Sequence, residues 1–593
     1  MKGSYWDRTL QTRLSRRGAL VATGAAGAGA ALLAACGGGG EGGEPPSAGS
    51  LLAPVVDDTK GVKRGGTLKS RSTLEHVTLD PMVGGGHVGF LAMAYSNLFR
   101  IKDGYKQPTD GEIEGDLVES WEFSGDRLQL TLKLHPGAHF APLAPVNGRA
   151  VDAQDIAFSW NRFAKDGRGR LELANSANPS APVLSLTATD NRTVVLKFKE
   201  PNSTLISLLG LNIAGSYWIM PRESDGGFDI RRQMIGSGPF YISRFEPSVS
   251  YEFKRNPEFK QDKRNLPYLD GISMPIVSET ATALSQFRAG QIWTSVAPAS
   301  QILTLKGDVP ELSMFDSGLT HAGIRTFFGH LPTSPFKDER LRQAWSYTYN
   351  RELFLETIFD LGTYESKGIP VQTSWDHALW GDTWAGWYLD PKSKDFGPNA
   401  KYLTQNLAEA KKLVSAAGFP NGIEVPFVHT EGYRGSWQDQ FQILHGFASS
   451  SEAFKVQLVE SSYAAGEFQR KYRDARGQFE GVSARTDSAP DDPTLNLLGH
   501  YNSQGAQFQG NDSTLEDLTG KMLREFDTKK RQQLGHEVQR YDAKMSFFPL
   551  MGSASAFQIW WPVVRNLFVW QGGSNRSNAT YFIDESKPPV RRA

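Results

Sequence analysis

Cysteine is almost absent from this chain of 593 residues: Cys36 is the only one. A disulfide within the chain is therefore excluded, and so is any cysteine nucleophile in the folded body that follows. Net charge is absent too, with 64 Lys and Arg balanced by 64 Asp and Glu. No basic excess marks the chain as a nucleic-acid binder. Beyond residue 35 no apolar run reaches the roughly 20 residues that a membrane-spanning helix needs. There is no G-x-S-x-G nucleophile elbow and no internal repeat, and the histidines are scattered.

What is present begins at the N-terminus. Lys2, Arg8, Arg13, Arg16 and Arg17 stand against the single acid Asp7, and an uncharged Ala/Gly-rich run covers 18–35. A basic start, a short weakly apolar stretch and small residues before a break read as a secretory signal. Ser15-Arg16-Arg17-Gly18-Ala19-Leu20 resembles a twin-arginine export signal. Leu33-Ala34-Ala35-Cys36 resembles the lipobox of bacterial lipoproteins, in which the cysteine is lipidated and becomes the new N-terminus. Ordinary Sec signals also hold paired arginines, so the export route stays open. Removing 1–35 leaves 59 basic and 63 acidic residues, a net charge of −4, and no thiol but the lipidated one. Residues 36–63, rich in Gly, Pro and Ser, cannot order themselves by burial and read as a flexible tether. The remaining stretch of about 530 residues exceeds the size of one growing core, so two or more lobes are expected.

Strand-like and helix-like patterns alternate through those lobes. Period-two runs around Ser124-Gly125-Asp126, from Leu184 to Phe198 and from Phe240 to Lys254 predict hairpins. Asp152 and Asp155 open a helix, as an N-cap and its third residue would. Further helices are expected over 88–99, 278–289, 338–349, 351–359, 406–418, 515–526 and 529–545. Gly290 is placed to stop the second of these. A last strand is expected near Phe547. The order of elements implies an α/β protein.

At this point a family resemblance emerges. Gly65-Gly66-Thr67-Leu68, Leu79-Asp80-Pro81, Leu117-Val118-Glu119-Ser120-Trp121-Glu122 and Leu134-His135-Pro136-Gly137-Ala138-His139-Phe140 follow one another as in the family 5 solute-binding proteins of ABC importers. So do Ala153–Trp160, Gly236–Phe240, Lys254–Pro257, Arg340–Ala344 and Asn350–Glu352. Each match is short; their order over about 480 residues makes the resemblance to the dipeptide, oligopeptide and nickel type specific. The resemblance implies a class II periplasmic-binding-protein fold, with two hinged lobes plus an additional inserted domain. It implies lobe I over 64–100, 236–319 and 546–593, an inserted small domain over 101–235, and lobe III over 320–545. Ligand would lie between lobes I and III, no bond would be made or broken, and no cofactor or metal is called for. The implied partners are a small solute, most simply a peptide, and ABC permease subunits; the protein itself would be a monomer.

Candidate site residues follow from the same resemblance. Thr486–Pro493 resembles a lobe III segment whose first aspartate pairs with a peptide's α-ammonium, and Asp487 occupies that position with Arg485 beside it. Trp375, Trp380, Trp384, Trp387 and Tyr388 crowd one segment. They either anchor a long loop or stack on a ligand, as Tyr433 and Trp437 also could. Asp491 and Asp492 read as turn residues, His135 and His139 as loop histidines because Pro136-Gly137 separates them. Gly84–Gly89 fits G-x-G-x-x-G but lacks a strand directly before it. Two other functional readings stay in view: an exported glycan- or peptide-processing enzyme, and a sensory receptor domain.

Overall fold

The computed structural model describes residues 51–590 apart from 57, 84–87, 103–106, 211–216, 295–296, 382–383, 489–491, 506, 509–511 and 571–576. The export signal, Cys36, most of the tether, Gly84, Gly85, Gly86 and His87 of the G-x-G-x-x-G stretch, and Asp491 lie outside the described residues; Gly89 of that stretch falls in the helix Val88–Ala94.

The first lobe is built on a four-stranded sheet ordered Thr67–Lys69, Gly271–Pro275, Ser250–Arg255, Phe240–Glu246. Its first pair is parallel and the others antiparallel. A second, wholly antiparallel sheet, Val118–Phe123, Gln129–Leu134, Thr193–Phe198 and Val183–Ala188, lies within the stretch read from sequence as the inserted domain. Alternation is clean on Gln129–Leu134 and Thr193–Phe198, where Leu130, Leu132, Leu134, Val194, Leu196 and Phe198 turn inward. Val118–Phe123, at the sheet edge, exposes most of its residues. The helix Ala153–Asp166 closes this sheet. The side chain of Asp152 accepts from the N–H of Asp155, and Asp155 accepts from the N–H of Asp152, a full capping box. One hydrophobic core runs through both sheets, from Leu68 through Phe163 and Phe240 to Ile583.

The second lobe is a mixed sheet ordered Ala322–Phe328, Val482–Ser488, Ile423–His429, Phe454–Glu460. Successive side chains alternate between its faces, so Ile324, Phe328, Val482 and Ala484 share one core with the helices Glu339–Thr348 and Ser436–Ser450. Phe327 on the other face packs with Leu497, Leu515, Met522 and Val538 of the helices Pro493–Tyr501, Ser513–Arg524 and Thr528–Met545. A sheet covered on both faces is the α/β arrangement that the element order implied.

Two antiparallel strands, Ser313–Leu319 and Ser553–Trp560, carry the chain between the lobes. Their ladder is interrupted between Asp316 and Leu319, and Gly318 there has φ +90°. A double crossing of this kind lets a few residues absorb a rigid-body motion. Two sequence expectations shift. The helix beginning at Val88 ends at Ala94 rather than Phe99, because Phe99 starts a short strand paired with Ile113–Gly115. No strand starts near Phe547: Phe547 and Phe548 are buried in the second lobe's core, and the return begins only at Ser553.

Candidate ligand-binding cleft

Between the lobes lies a cavity of about 820 Å³, the size range of small-ligand sites. One wall belongs to the second lobe, from Ala322, Trp437, Thr486, Asp487, Ser488 and the helix Pro493–Tyr501. The facing wall comes largely from the small-sheet unit, with Leu171, Glu172, Ala181, Asn202, Thr204 and Leu208; Val88 is the first lobe's own part. The resemblance implies ligand between lobes I and III; in this cavity the inserted stretch supplies most of the surface that faces the second lobe.

Asp487 reaches the cleft because it stands near the end of Val482–Ser488, but its carboxylate is already engaged. Oδ2 lies 2.7 Å from Arg325 Nε and 3.3 Å from His500 Nε2, with Arg325 wholly buried. The strand register explains this grouping. Arg325 sits directly across from Arg485, and Gly323 across from Asp487, so both arginines and the aspartate share one sheet face. Like charges placed opposite each other repel, and Asp487 offsets them. Burial pushes the Asp487 carboxyl up, but Arg325 and then His500 outweigh burial and hold it well below the usual range. Burial, reinforced by Arg325, pushes the His500 pKa down.

The other residues singled out from sequence separate clearly. Trp437, in the first turn of Ser436–Ser450, lines the cleft with Asp487. Arg485 does not: it is buried behind Asp487, stacked on the Phe327 ring at 3.2 Å and donating to the Arg473 carbonyl. Tyr433 is core, donating its hydroxyl to the Ala484 carbonyl at 2.6 Å. Trp380 is 2% exposed, packed over Gly323 with Arg325 6.0 Å from its ring. Trp375 stands elsewhere, on a separate cavity of about 180 Å³ with Trp384 and Tyr388, its Nε1 donating to Glu352. Burial of Trp380, Trp384 and Trp387 accords with loop anchoring.

Contacts missed from sequence tie the walls together beside the cleft. Ser207 Oγ donates to Asp492 Oδ2 at 2.5 Å, and Asp492 also caps Pro493–Tyr501 through the N–H groups of Thr494 and Leu495. The Ser203 N–H and hydroxyl donate to the carbonyls of Leu523 and Met522, at the end of Ser513–Arg524. These bonds satisfy helix-end groups that have no partner within the helix. Sequence alone marks Asp492 as a turn residue. Its capping role was legible from Asp-Pro opening an apolar run, but its serine partner 285 positions away was not. His135 Nδ1 accepts from the Gly137 N–H within its loop, in keeping with the structural reading of that pair. Among the described residues no group of three or more His, Cys, Asp or Glu could hold a metal ion.

Two mixed α/β lobes joined by a double crossing and facing a shared cleft define the periplasmic-binding-protein class. The model for bacterial extracellular solute-binding proteins, family 5 (middle), matches residues 112–508, and the chain belongs to that family. Probable di/tripeptide-binding protein 5 of Pseudomonas aeruginosa is 23% identical over 282 residues, 45% of this chain and 52% of that protein. Heme-binding protein A of Haemophilus influenzae is 22% identical over 346 residues, 56% and 58% of the two chains. The chain thus spans about half the length of the curated relatives it matches. The periplasmic binding protein DppA of Helicobacter pylori, solved with the peptide STSA, superposes with a TM-score of 0.66 at 18% identity, over 89% of this chain and 100% of that one. At such identity the likeness is one of fold.

Proposed function

We propose that this protein is a lipid-anchored, extracytoplasmic solute-binding component of an ABC importer that captures a short peptide and delivers it to the permease. The observation that carries this is the cleft itself: about 820 Å³ between hinged lobes, with apolar surface, hydrogen-bonding side chains and charges of both signs on its walls. Ligand contacting both walls favours the closed arrangement, and the permease would read that arrangement. Peptide-binding relatives support the cargo class, although a heme-binding relative belongs to the same set. Asp487 and Trp437 are the sequence candidates standing where ligand would lie. Anchoring at Cys36 would hold the cargo near the permease through a flexible tether.

A thermal-shift screen over alanine peptides, oligosaccharides and nickel chelates tests the reading, because a ligand bound only by the folded state raises the melting point. Peptides alone are expected to raise it; a shift with sugars or chelates and none with peptides would overturn the cargo. Cys36→Ser is expected to move the protein from the membrane fraction to the soluble one, and retention at the membrane would overturn the anchor.

A further inference from the structure

The smaller cavity, of about 180 Å³, shares no lining residue with the cleft. It lies against the two strands that cross between the lobes: Leu319 ends one of them, and Thr373 pairs with Ala554 of the other. The facing wall holds three rings, Trp375, Trp384 and Tyr388, and each is fixed. Tyr388 has the His377 ring stacked at 5.3 Å and donates its hydroxyl to the Trp375 carbonyl at 2.7 Å. Trp384 is buried against Gly111, where a Cβ would lie 2.2 Å from the ring. Trp375, half-buried, donates Nε1 to Glu352 at 2.9 Å. One cation already sits on these rings. The Lys392 ammonium is 4.7 Å from the centre of the Trp375 ring and 2.7 Å from Glu352. The local charges do not cancel, because Glu352 and the lining Asp390 are two carboxylates beside one ammonium. Asp390 Oδ1 accepts from the Lys392 N–H, a turn contact, and no basic side chain pairs with it among the described residues.

We propose that this cavity is a second ligand site, for a quaternary ammonium head such as the trimethylammonium of choline, held by Trp375, Tyr388 and the carboxylate of Asp390. It goes beyond the peptide reading and does not depend on it. A quaternary ammonium donates no hydrogen bond, so it gives up little on leaving water and is drawn to the ring quadrupoles. An anion would be repelled by Asp390 and Glu352. An uncharged apolar ring would take water from Asp390 and give it no partner. Size agrees: an engineered cavity of about 150 Å³ holds benzene, so this one admits a single such head. Lys392 shows that the Trp375 ring takes a cation, and it is the chain's own competitor for that place.

Calorimetric titration of the full chain with choline, and with its uncharged isostere in which carbon replaces the nitrogen, tests the assignment. Choline is expected to bind at least about 10-fold more tightly than the isostere; equal affinities overturn the proposal. Trp375→Leu should weaken choline about 5- to 30-fold, while Trp375→Phe, which keeps a ring, retains most of the affinity. Asp390→Asn should weaken it about 3- to 10-fold, and Lys392→Gln should tighten it about 2- to 5-fold because the competing cation is gone. Asp390 and Lys392 are exposed, and unchanged melting of those variants verifies that folding is intact. Choline affinity unaltered in both Trp375→Leu and Asp390→Asn overturns the site. The same head occurs free and on lipids, so phosphatidylcholine vesicles are tested by co-sedimentation beside choline in solution. Binding to either that is lost in Trp375→Leu supports the site, and failure of both overturns it. Alanine peptides should bind Trp375→Leu as they bind the wild type, so the peptide reading and this site fail separately.

Discussion

Asp487→Asn removes the carboxylate that lies against the wholly buried guanidinium of Arg325 while leaving the shape of the wall unchanged. Stranding one member of a buried ion pair costs about 3–5 kcal/mol, because the remaining charge has lost both water and partner. Two features set the value toward the lower end. Asp376 and Asp542 also feel the Arg325 charge at longer range, and His500 can accept a hydrogen bond where it now faces Asp487. For a cooperative unit the size of the second lobe, 1 kcal/mol corresponds to about 2–4 °C, so melting should fall by about 6–12 °C for a loss of about 3 kcal/mol. Differential scanning calorimetry at pH 7.5 without ligand reads this directly. The double variant Arg325→Met, Asp487→Asn should recover most of the loss, since exchanging a whole buried pair for apolar and neutral groups is often nearly neutral. A melting point for Asp487→Asn equal to that of the wild type would refute the reasoning. So would a double variant no more stable than the single one, since the cycle would then show no coupling.

Three further outcomes are expected. Burial raises the carboxyls of Asp376 and Asp542 from 3.8 to about 6, so the folded state holds these protons more tightly than the unfolded chain. Stability from them is lost as pH rises through 4 to 6 and regained as pH falls, about 1 kcal/mol each between pH 7 and 5. Melting should therefore rise over that interval, and Asp376→Asn should flatten the rise; an identical slope in the variant would count against the assignment. Ser207→Ala removes a hydrogen bond to a buried carboxylate across the walls. It should weaken peptide affinity about 3- to 10-fold and expand the ligand-free protein in small-angle scattering; unchanged values for both would rule out a closing role. Gly111→Ala places a methyl 2.2 Å from the Trp384 ring at a φ of +81°, so it should lower stability by at least about 1–2 kcal/mol in urea unfolding. A variant as stable as the parent would show that this contact gives way.

Much of the local structure could be read without coordinates because its causes are local. Asp152 and Asp155 spell out a capping box, Asn350 and Asp338 cap the helices Arg351–Phe359 and Glu339–Thr348, close to where helices were expected, and Gly290 ends Thr280–Arg288 with φ +71°. Strand alternation was legible where one face is buried, as on Gln129–Leu134, and misleading at an edge such as Val118–Phe123. The candidate site was less legible. Residue type and resemblance pointed to Asp487, Trp437, Tyr433, Trp380 and Arg485 alike, and only packing divides the wall of the cleft from the core behind it.

Cysteine scarcity, the basic leader, the ordered motifs and the cap residues belong to the sequence alone, since each depends on neighbours a few positions apart. On those grounds it placed the chain among solute-binding proteins. Which charges cancel is a different matter. Arg325 and Asp487 are 162 positions apart, and they meet because the register sets Arg325 against Arg485 and brings Asp487 alongside. The same holds for Ser207 and Asp492, and for the inserted stretch that turned out to face the second lobe across the cleft. Charge balance in a buried site is a property of distance and desolvation, and both come into being only when the strands have paired and the lobes have met.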